Sequence, residues 1–436
     1  MSNPYVIEGF VEDPRMFFGR RMHLRRLLRH VKKMDCVSVV GPLGIGKSSL
    51  LYQLTQQGEL KESHLSLYLD LSNPLLQNEP GFLRQVIPEL GDRVGRMFVG
   101  ITMRRLEWTI EILQDEEEKE VLLCLDNFDQ FVASPGVTSD FLDELRRLGF
   151  ERLLSIVVAS SRPPEELARR GMIPRALPAL FDEQMELGLL PAREADRLIR
   201  EPALREEVEF SPEVLQLARE LGGRHPLYLQ LAGYHLFEQV LPEGEIDLEA
   251  AREGFAEAAF PHLHELWAGL SEEEREAARY YAAPAYRYPP NVSMRQELIR
   301  RGIVERRGGD YRLFSEHFQE VVRRRRQALE EPLPAPEEEI PSPPGEAAEV
   351  AEPSEESVAE VAAPPVEEEP VPTEPEPSVA PLAPTEAQPE PPVEPSPQEL
   401  SALSALGCYV VAITLDFLFI VGVVVARMLL QLPPRR

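Results

Sequence analysis

Between Arg326 and Arg427 the 436-residue chain has no lysine or arginine, and about twenty glutamates, with a proline every few residues, fill that gap. A stretch so poor in aromatics and so rich in one charge cannot bury enough apolar surface to offset its ordering entropy. Residues 329–400 therefore read as an extended, self-repelling disordered linker. The formal net charge of −28 is concentrated there, leaving only about −10 on residues 1–326. Overall charge thus neither marks nor excludes a nucleic-acid partner. Cysteine is scarce too: Cys36, Cys124 and Cys408 are the only three. They have no metal-ligand spacing, which excludes a disulfide framework and a zinc cluster and suits a reducing compartment. The opening MSNPYVIEGFVEDPRMFFGRR has acids and prolines where a secretory signal needs a basic start and an apolar run, so the N-terminal part is expected on the cytosolic side. No internal period of 20 to 50 residues suggests a repeat array.

What the chain does have, over residues 1–190, is short apolar runs alternating with amphipathic stretches. The runs are CVSVV (36–40), LSLYLDL (65–71), VLLCLD (121–126) and LLSIVVAS (153–160), each flanked by Gly, Pro, Asn or Asp. That pattern predicts an α/β domain with a parallel sheet covered by helices. The first run leads into Gly41-Pro-Leu-Gly44-Ile-Gly46-Lys47-Ser48-Ser49, which matches G-x4-G-K-[ST] between a strand and a helix. Glycines let backbone N–H groups wrap phosphates, Lys47 offsets β- and γ-phosphate charge, and the Ser48 hydroxyl is suited to Mg²⁺, with Ser49 beside it. A plain glycine-rich turn would need none of the rest. The third run ends on Asp126, placed to hold the Mg²⁺ shell, so ATP and Mg²⁺ are the expected ligands.

With Asp126, Asn127 and Asp129 after an apolar strand, the chain resembles the STAND class of AAA-related P-loop ATPases, over roughly residues 3–325. The resemblance implies an acidic residue after the Mg²⁺ aspartate that polarises the attacking water. Here that position is Asn127, which cannot act as a base, so hydrolysis is expected to be slow or to depend on Asp129. It also implies that Phe18, Gly19 and Arg20 lie near the adenine. Ser160-Ser161-Arg162 resembles a first sensor, with Arg162 sensing the γ-phosphate, and Gly222 to Pro226 resembles the Gly-x-Pro element, with Pro226 near the base. Arg162 also suits a strand-end surface charge, and Pro226 a helix-start proline.

Beyond Leu190 the pattern turns helical. PAREADRLIR, SPEVLQLARELGG and PLYLQLAGYHLF predict a helical lid over 191–268, with Ser211 as an N-cap. Residues 269–328 give a helix, a second helix and a hairpin turning at Gly308-Gly309, the order of a winged helix. Its arginines, from Arg300 to Arg326, are interleaved with Glu297, Glu305, Glu316 and Glu320, which dilutes a DNA-binding face, and the resemblance implies a switch element there instead. Residues 406–426 form an apolar run of about 31 Å as a helix, which predicts one transmembrane helix, with Asp416 in its middle either tolerated or pairing protomers. Arginines flank only its C-terminal side, which would hold the tail inside. A large ATP-binding domain without an export signal outweighs them, giving an N-terminus-in orientation. The expectation is a membrane-anchored, slowly hydrolysing switch or scaffold that oligomerises on ATP. The rivals are a cycling ATPase and an origin-recognition-like DNA tether.

Overall fold

In the computed structural model, residues 3–242, 245–283 and 289–330 are described. The four apolar runs are four strands: β1 (Val37–Val40), β2 (His64–Asp70), β3 (Glu120–Asp126) and β4 (Leu154–Ser160). A fifth, β5 (Glu183–Glu186), pairs along the outer edge of β1. All run parallel, in the order β2-β3-β4-β1-β5. β5 is invisible in the sequence because Glu-Gln-Met-Glu buries only Met185, and an edge strand needs no continuous apolar run.

The helices among these strands are α1 (Arg21–Val31), α2 (Lys47–Thr55), α3 (Gly58–Lys61), α4 (Glu79–Val94), α5 (Met103–Glu117), α6 (Phe128–Ala133), α7 (Ser139–Phe150) and α8 (Pro164–Arg169). β3 shows why the runs are apolar throughout. Its side chains alternate, so Val121, Leu123 and Leu125 join the core with α4, α5 and α7, while Leu122 and Cys124 join the core with α1 and α2. Because β4 lies between β1 and β3, the loops after all three strands open along one end of the sheet, where ligands of open α/β folds bind.

The C-terminal part is helical where the sequence puts it: α9 (Ala192–Arg205), α10 (Pro212–Gly222), α11 (Pro226–Glu238), α12 (Leu248–Ala268), α13 (Glu272–Ala282) and α14 (Val292–Arg300). A hairpin of β6 (Val304–Arg307) and β7 (Asp310–Leu313) and then α15 (Glu316–Glu330) follow. Ser211 caps α10 by accepting from the Val214 N–H, and Ser271 with Glu274 forms a capping box at α13; such caps contribute about 1 kcal/mol each. One apolar cluster runs through this whole part, from Leu198 and Tyr228 to Phe314 and Phe318, and takes in Tyr5 and Phe18 from the N-terminal segment. The segments 191–268 and 269–328, read separately in the sequence, thus share a core. The linker and the apolar span 406–426 lie outside the described residues, among which no helix is long and apolar enough to cross a membrane.

Candidate nucleotide-binding site

The loop Gly41–Gly46 leaves the end of β1 and turns into α2. Gly46 occupies the N-cap position of α2 with φ +93°, a conformation glycine takes without strain, and no side chain caps the helix. The first-turn N–H groups of α2 are therefore left for an anion. Lys47 is only 9% exposed and donates through Nζ to the carbonyls of Gly41 (2.8 Å) and Pro42 (2.9 Å). Burial lowers its pKa, while Asp126 and Asp129 act to raise it and Arg301 adds to the lowering.

Asp126, at the end of β3 and 1% exposed, accepts from the Tyr68 hydroxyl at Oδ2 (2.8 Å) and from the Asn127 N–H at Oδ1 (3.0 Å). The β2–β3 register sets Asp70 opposite Asp126, so Tyr68 and Asp70 rise to the same end of the sheet, on one face of β2. Burial, and next the charge of Asp126, push the Tyr68 hydroxyl above its usual pKa, with the Ser48 hydroxyl opposing as a further partner. Asp126 thus meets the Tyr68 hydroxyl directly, and Ser48 lines the neighbouring pocket. Among the described residues no group of three or more His, Cys, Asp or Glu side chains could hold a metal. A serine hydroxyl and one carboxylate fit Mg²⁺, which keeps several waters and takes phosphate oxygens, rather than an all-protein cage.

Asn127 sits at φ +55°, an angle asparagine tolerates, and its Nδ2 donates to Asp70 Oδ1 at 2.8 Å. Asp129, in the first turn of α6, accepts from the Ser161 N–H at 3.1 Å. Arg162 pairs with Glu166 (2.5 Å) and donates to the carbonyl of Gly269 (3.1 Å), tying the end of β4 to the turn between α12 and α13.

At the other end of the loop, one pocket of about 830 Å³, counted out to its open mouth, is lined by Phe18, Arg20, Gly44, Gly46, Lys47, Ser48, Ser49 and Pro226, together with Asn127, Leu198 and Gln230. Arg20, 3% exposed, donates to the carbonyls of Ile45 (2.9 Å) and Gly188 (2.6 Å), and burial lowers its pKa to about 10. It braces the loop from behind, and its buried Nε has no partner among the described residues. The Gly19 N–H donates to Glu194 at 3.1 Å. α11 is fastened to the loop through Leu227, whose N–H donates to the Gly44 carbonyl at 3.3 Å. The buried His225 packs on Tyr228 and Phe314, with ring centroids 4.7 and 5.4 Å away. Burial, then the charge of Arg20, lowers its pKa to about 3.

The structure thus brings eight of the sequence-derived residues to one pocket. Gly41, Asp126, Asp129 and Arg162 stand at the adjoining strand ends, Gly41 lining a small cleft with Ser161, Arg300 and Arg301, and Gly19 faces Glu194. Sequence reasoning missed Tyr68, Asp70, His225 and Gln230. The first two carried a faint signal, polar residues two apart in a largely apolar strand run; His225 stood unremarked inside the Gly222 to Pro226 element, and Gln230, a helix residue brought in from far along the chain, had none.

A glycine-rich loop between β1 and α2, a buried aspartate at the end of β3 and a strand between them define a P-loop NTPase. Residues 10–282 match the family described as novel STAND NTPase 1, and the chain belongs to that family. No curated protein matches it. Among solved structures it is similar to a Walker-type ATPase of Pyrococcus abyssi, at 14% identity and TM-score 0.50, over 72% of this chain and 98% of that one. It is also similar to the ORC2 protein of Aeropyrum pernix in ADPNP and ADP complexes, at 17% identity and TM-score 0.49, over 74% and 100%. The RuvB Holliday junction branch migration motor of Thermotoga maritima matches at 13% and 0.39, over 74% and 99%. At these identities the likeness concerns the fold.

Proposed function

We propose that this chain is an ATP-dependent switch that binds ATP with Mg²⁺, hydrolyses it slowly and, held at a membrane by residues 406–426, assembles protomers in the ATP state. The observation that carries the slow turnover is Asn127. The residue following Asp126 is an amide held at 2.8 Å by Asp70, so no carboxylate occupies that place to orient and deprotonate a water. Asp129 is the substitute in this reading, with one oxygen already accepting from Ser161, while the Asp70 carboxylate is engaged by the Asn127 amide.

In this reading Lys47 turns from the carbonyls of Gly41 and Pro42 to the phosphates, and the first-turn N–H groups of α2 hold them. Ser48 and Asp126 would hold Mg²⁺, which would supply charge neutralisation for the phosphates. Ser49 and the glycines Gly41, Gly44 and Gly46 shape the cradle. Gly19 and Arg20 position the segment that carries Phe18, and Phe18 and Pro226 flank the adenine. Arg162 exchanges its hold on Glu166 and Gly269 for the γ-phosphate, and the lid and the segment 269–328, read as a winged helix, shift with it.

The arginines of that unit support a switch role over DNA binding. Arg300 pairs with Glu186, Arg301 with Glu274, Arg307 with Glu305 and Arg324 with Glu320. The membrane placement rests on the apolar run 406–426 and the acidic linker before it. Light scattering of the detergent-solubilised full chain tests the assembly: size should rise with ATP and not in Lys47→Ala, and an unchanged size at saturating ATP contradicts it.

A further inference from the structure

We propose that Gln230 reads the base of the bound nucleotide and makes this pocket select adenine over guanine; the inference rests on the nucleotide reading above. Gln230 lies on α11 one helical turn, about 6 Å, beyond Pro226. The P-loop meets α11 at Leu227, so Gln230 stands on the pocket wall farther from the phosphate cradle. The six-membered edge of a purine is the edge most remote from its sugar and phosphates, and this is the edge that wall would meet.

The orientation of the Gln230 amide is fixed by its surroundings. The side chain is 5% exposed, and Oε1 accepts from the Val6 N–H at 3.3 Å. Val6 is itself held in place on α11. Asn3 donates to the Tyr234 carbonyl (3.1 Å) and to Glu238 (2.7 Å), and the Tyr5 hydroxyl donates to the carbonyl of Ile199. The Tyr5 ring lies so close over Gly233 that a β-carbon there would come within 2.2 Å of it. With Oε1 taken, Gln230 has only the two N–H donors of Nε2 left. Nε2 has no protein partner among the described residues and is not fully enclosed, and Gln230 lines the pocket.

A donor at this place pairs with the unprotonated N1 of adenine and opposes the N1–H of guanine. The peptide group of Gly9, in the lining of the same pocket, makes no hydrogen bond with another described residue, and its carbonyl can accept from the exocyclic amine of adenine. A buried donor facing a donor leaves both unpaired, which should cost guanine roughly ten- to hundred-fold in affinity.

The test is equilibrium titration of the full chain with ATP and with GTP, both with Mg²⁺, using the native sequence, Gln230→Glu, Gln230→Leu and Val6→Pro. Native protein should prefer ATP by tenfold or more. Gln230→Glu, which presents an acceptor instead, should move the preference toward GTP, and Gln230→Leu should bring the ratio close to one. Val6→Pro removes the N–H that fixes Oε1 and should lower discrimination with Gln230 intact, so the test stands even if a Gln230 variant fails to fold. ATP binding with a ratio near one in native protein, or a ratio unmoved by every folded variant, overturns the proposal while leaving the nucleotide reading intact. Binding of neither nucleotide by native protein overturns both.

Discussion

The two ends of the nucleotide pocket are built in opposite ways. The phosphate end is local: from Gly41 to Ser49 a few consecutive residues supply the cradle, the lysine and the hydroxyl, with Asp126 and Tyr68 joining from neighbouring strands. The base end is assembled from Val6, Phe18, Leu198 and Gln230, more than two hundred residues apart at the extremes. Chemistry that needs backbone N–H groups and a fixed dipole can be written as a short motif. A wall that must fit a flat ring can be made from any elements that pack, so it leaves no motif.

That contrast sets the scale of what substitutions should do. Lys47→Ala strikes the local end and removes a charge-assisted contact no neighbour can replace. Affinity for ATP and GTP should fall together by about 100-fold or more, measured by calorimetric titration. A selective loss of one nucleotide would instead mean that the two ends are not separable.

Next in size is Asn127→Glu, made together with Asp70→Asn because the new carboxylate would otherwise face Asp70. Supplying a base should raise phosphate release by roughly 10- to 100-fold with little change in ATP affinity. No increase would show that Asp129, or another group, already serves. Tyr68→Phe removes the hydroxyl that donates to Asp126 while keeping the ring. The half-saturating Mg²⁺ concentration should rise about tenfold, read from metal titration of nucleotide binding.

The smallest effect lies where the pocket meets the C-terminal helices. His225 is neutral in the fold, with its pKa lowered to about 3, and titrates near 6.5 when unfolded. Between those values the unfolded chain binds more protons, so stability rises with pH across that window and is lost as pH falls from about 6.5 toward 3. His225→Phe should flatten this acid limb. Urea midpoints at pH 7 and pH 5 should differ less in the variant than in native protein, and His23, lowered to about 4, should leave a remainder.

The same contrast explains how much the sequence disclosed. The four buried strands were legible because helices cover both sheet faces and force continuous apolar runs, while β5 was not, since an edge strand with one buried Met185 needs no such run. The P-loop, Asp126 and Asn127 were legible as a motif. The resemblance to STAND ATPases supplied Phe18, Arg20 and Pro226, which do line the pocket. Arg162 was foreseen by position, but its hold on Glu166 and the Gly269 carbonyl was not, because the turn after α12 is brought there only by tertiary packing. Tyr68 was hidden inside a strand run in which a tyrosine serves equally well as core.

The most direct measurement is ATP occupancy and phosphate release on one sample of the full chain with Mg²⁺. Stoichiometric ATP binding with turnover at or below about 0.01 s⁻¹, the range of NTPases that hold their nucleotide as a signal, is the expected result. Turnover above about 1 s⁻¹, an ordinary enzyme rate, would contradict the switch and place a competent base beside Asn127.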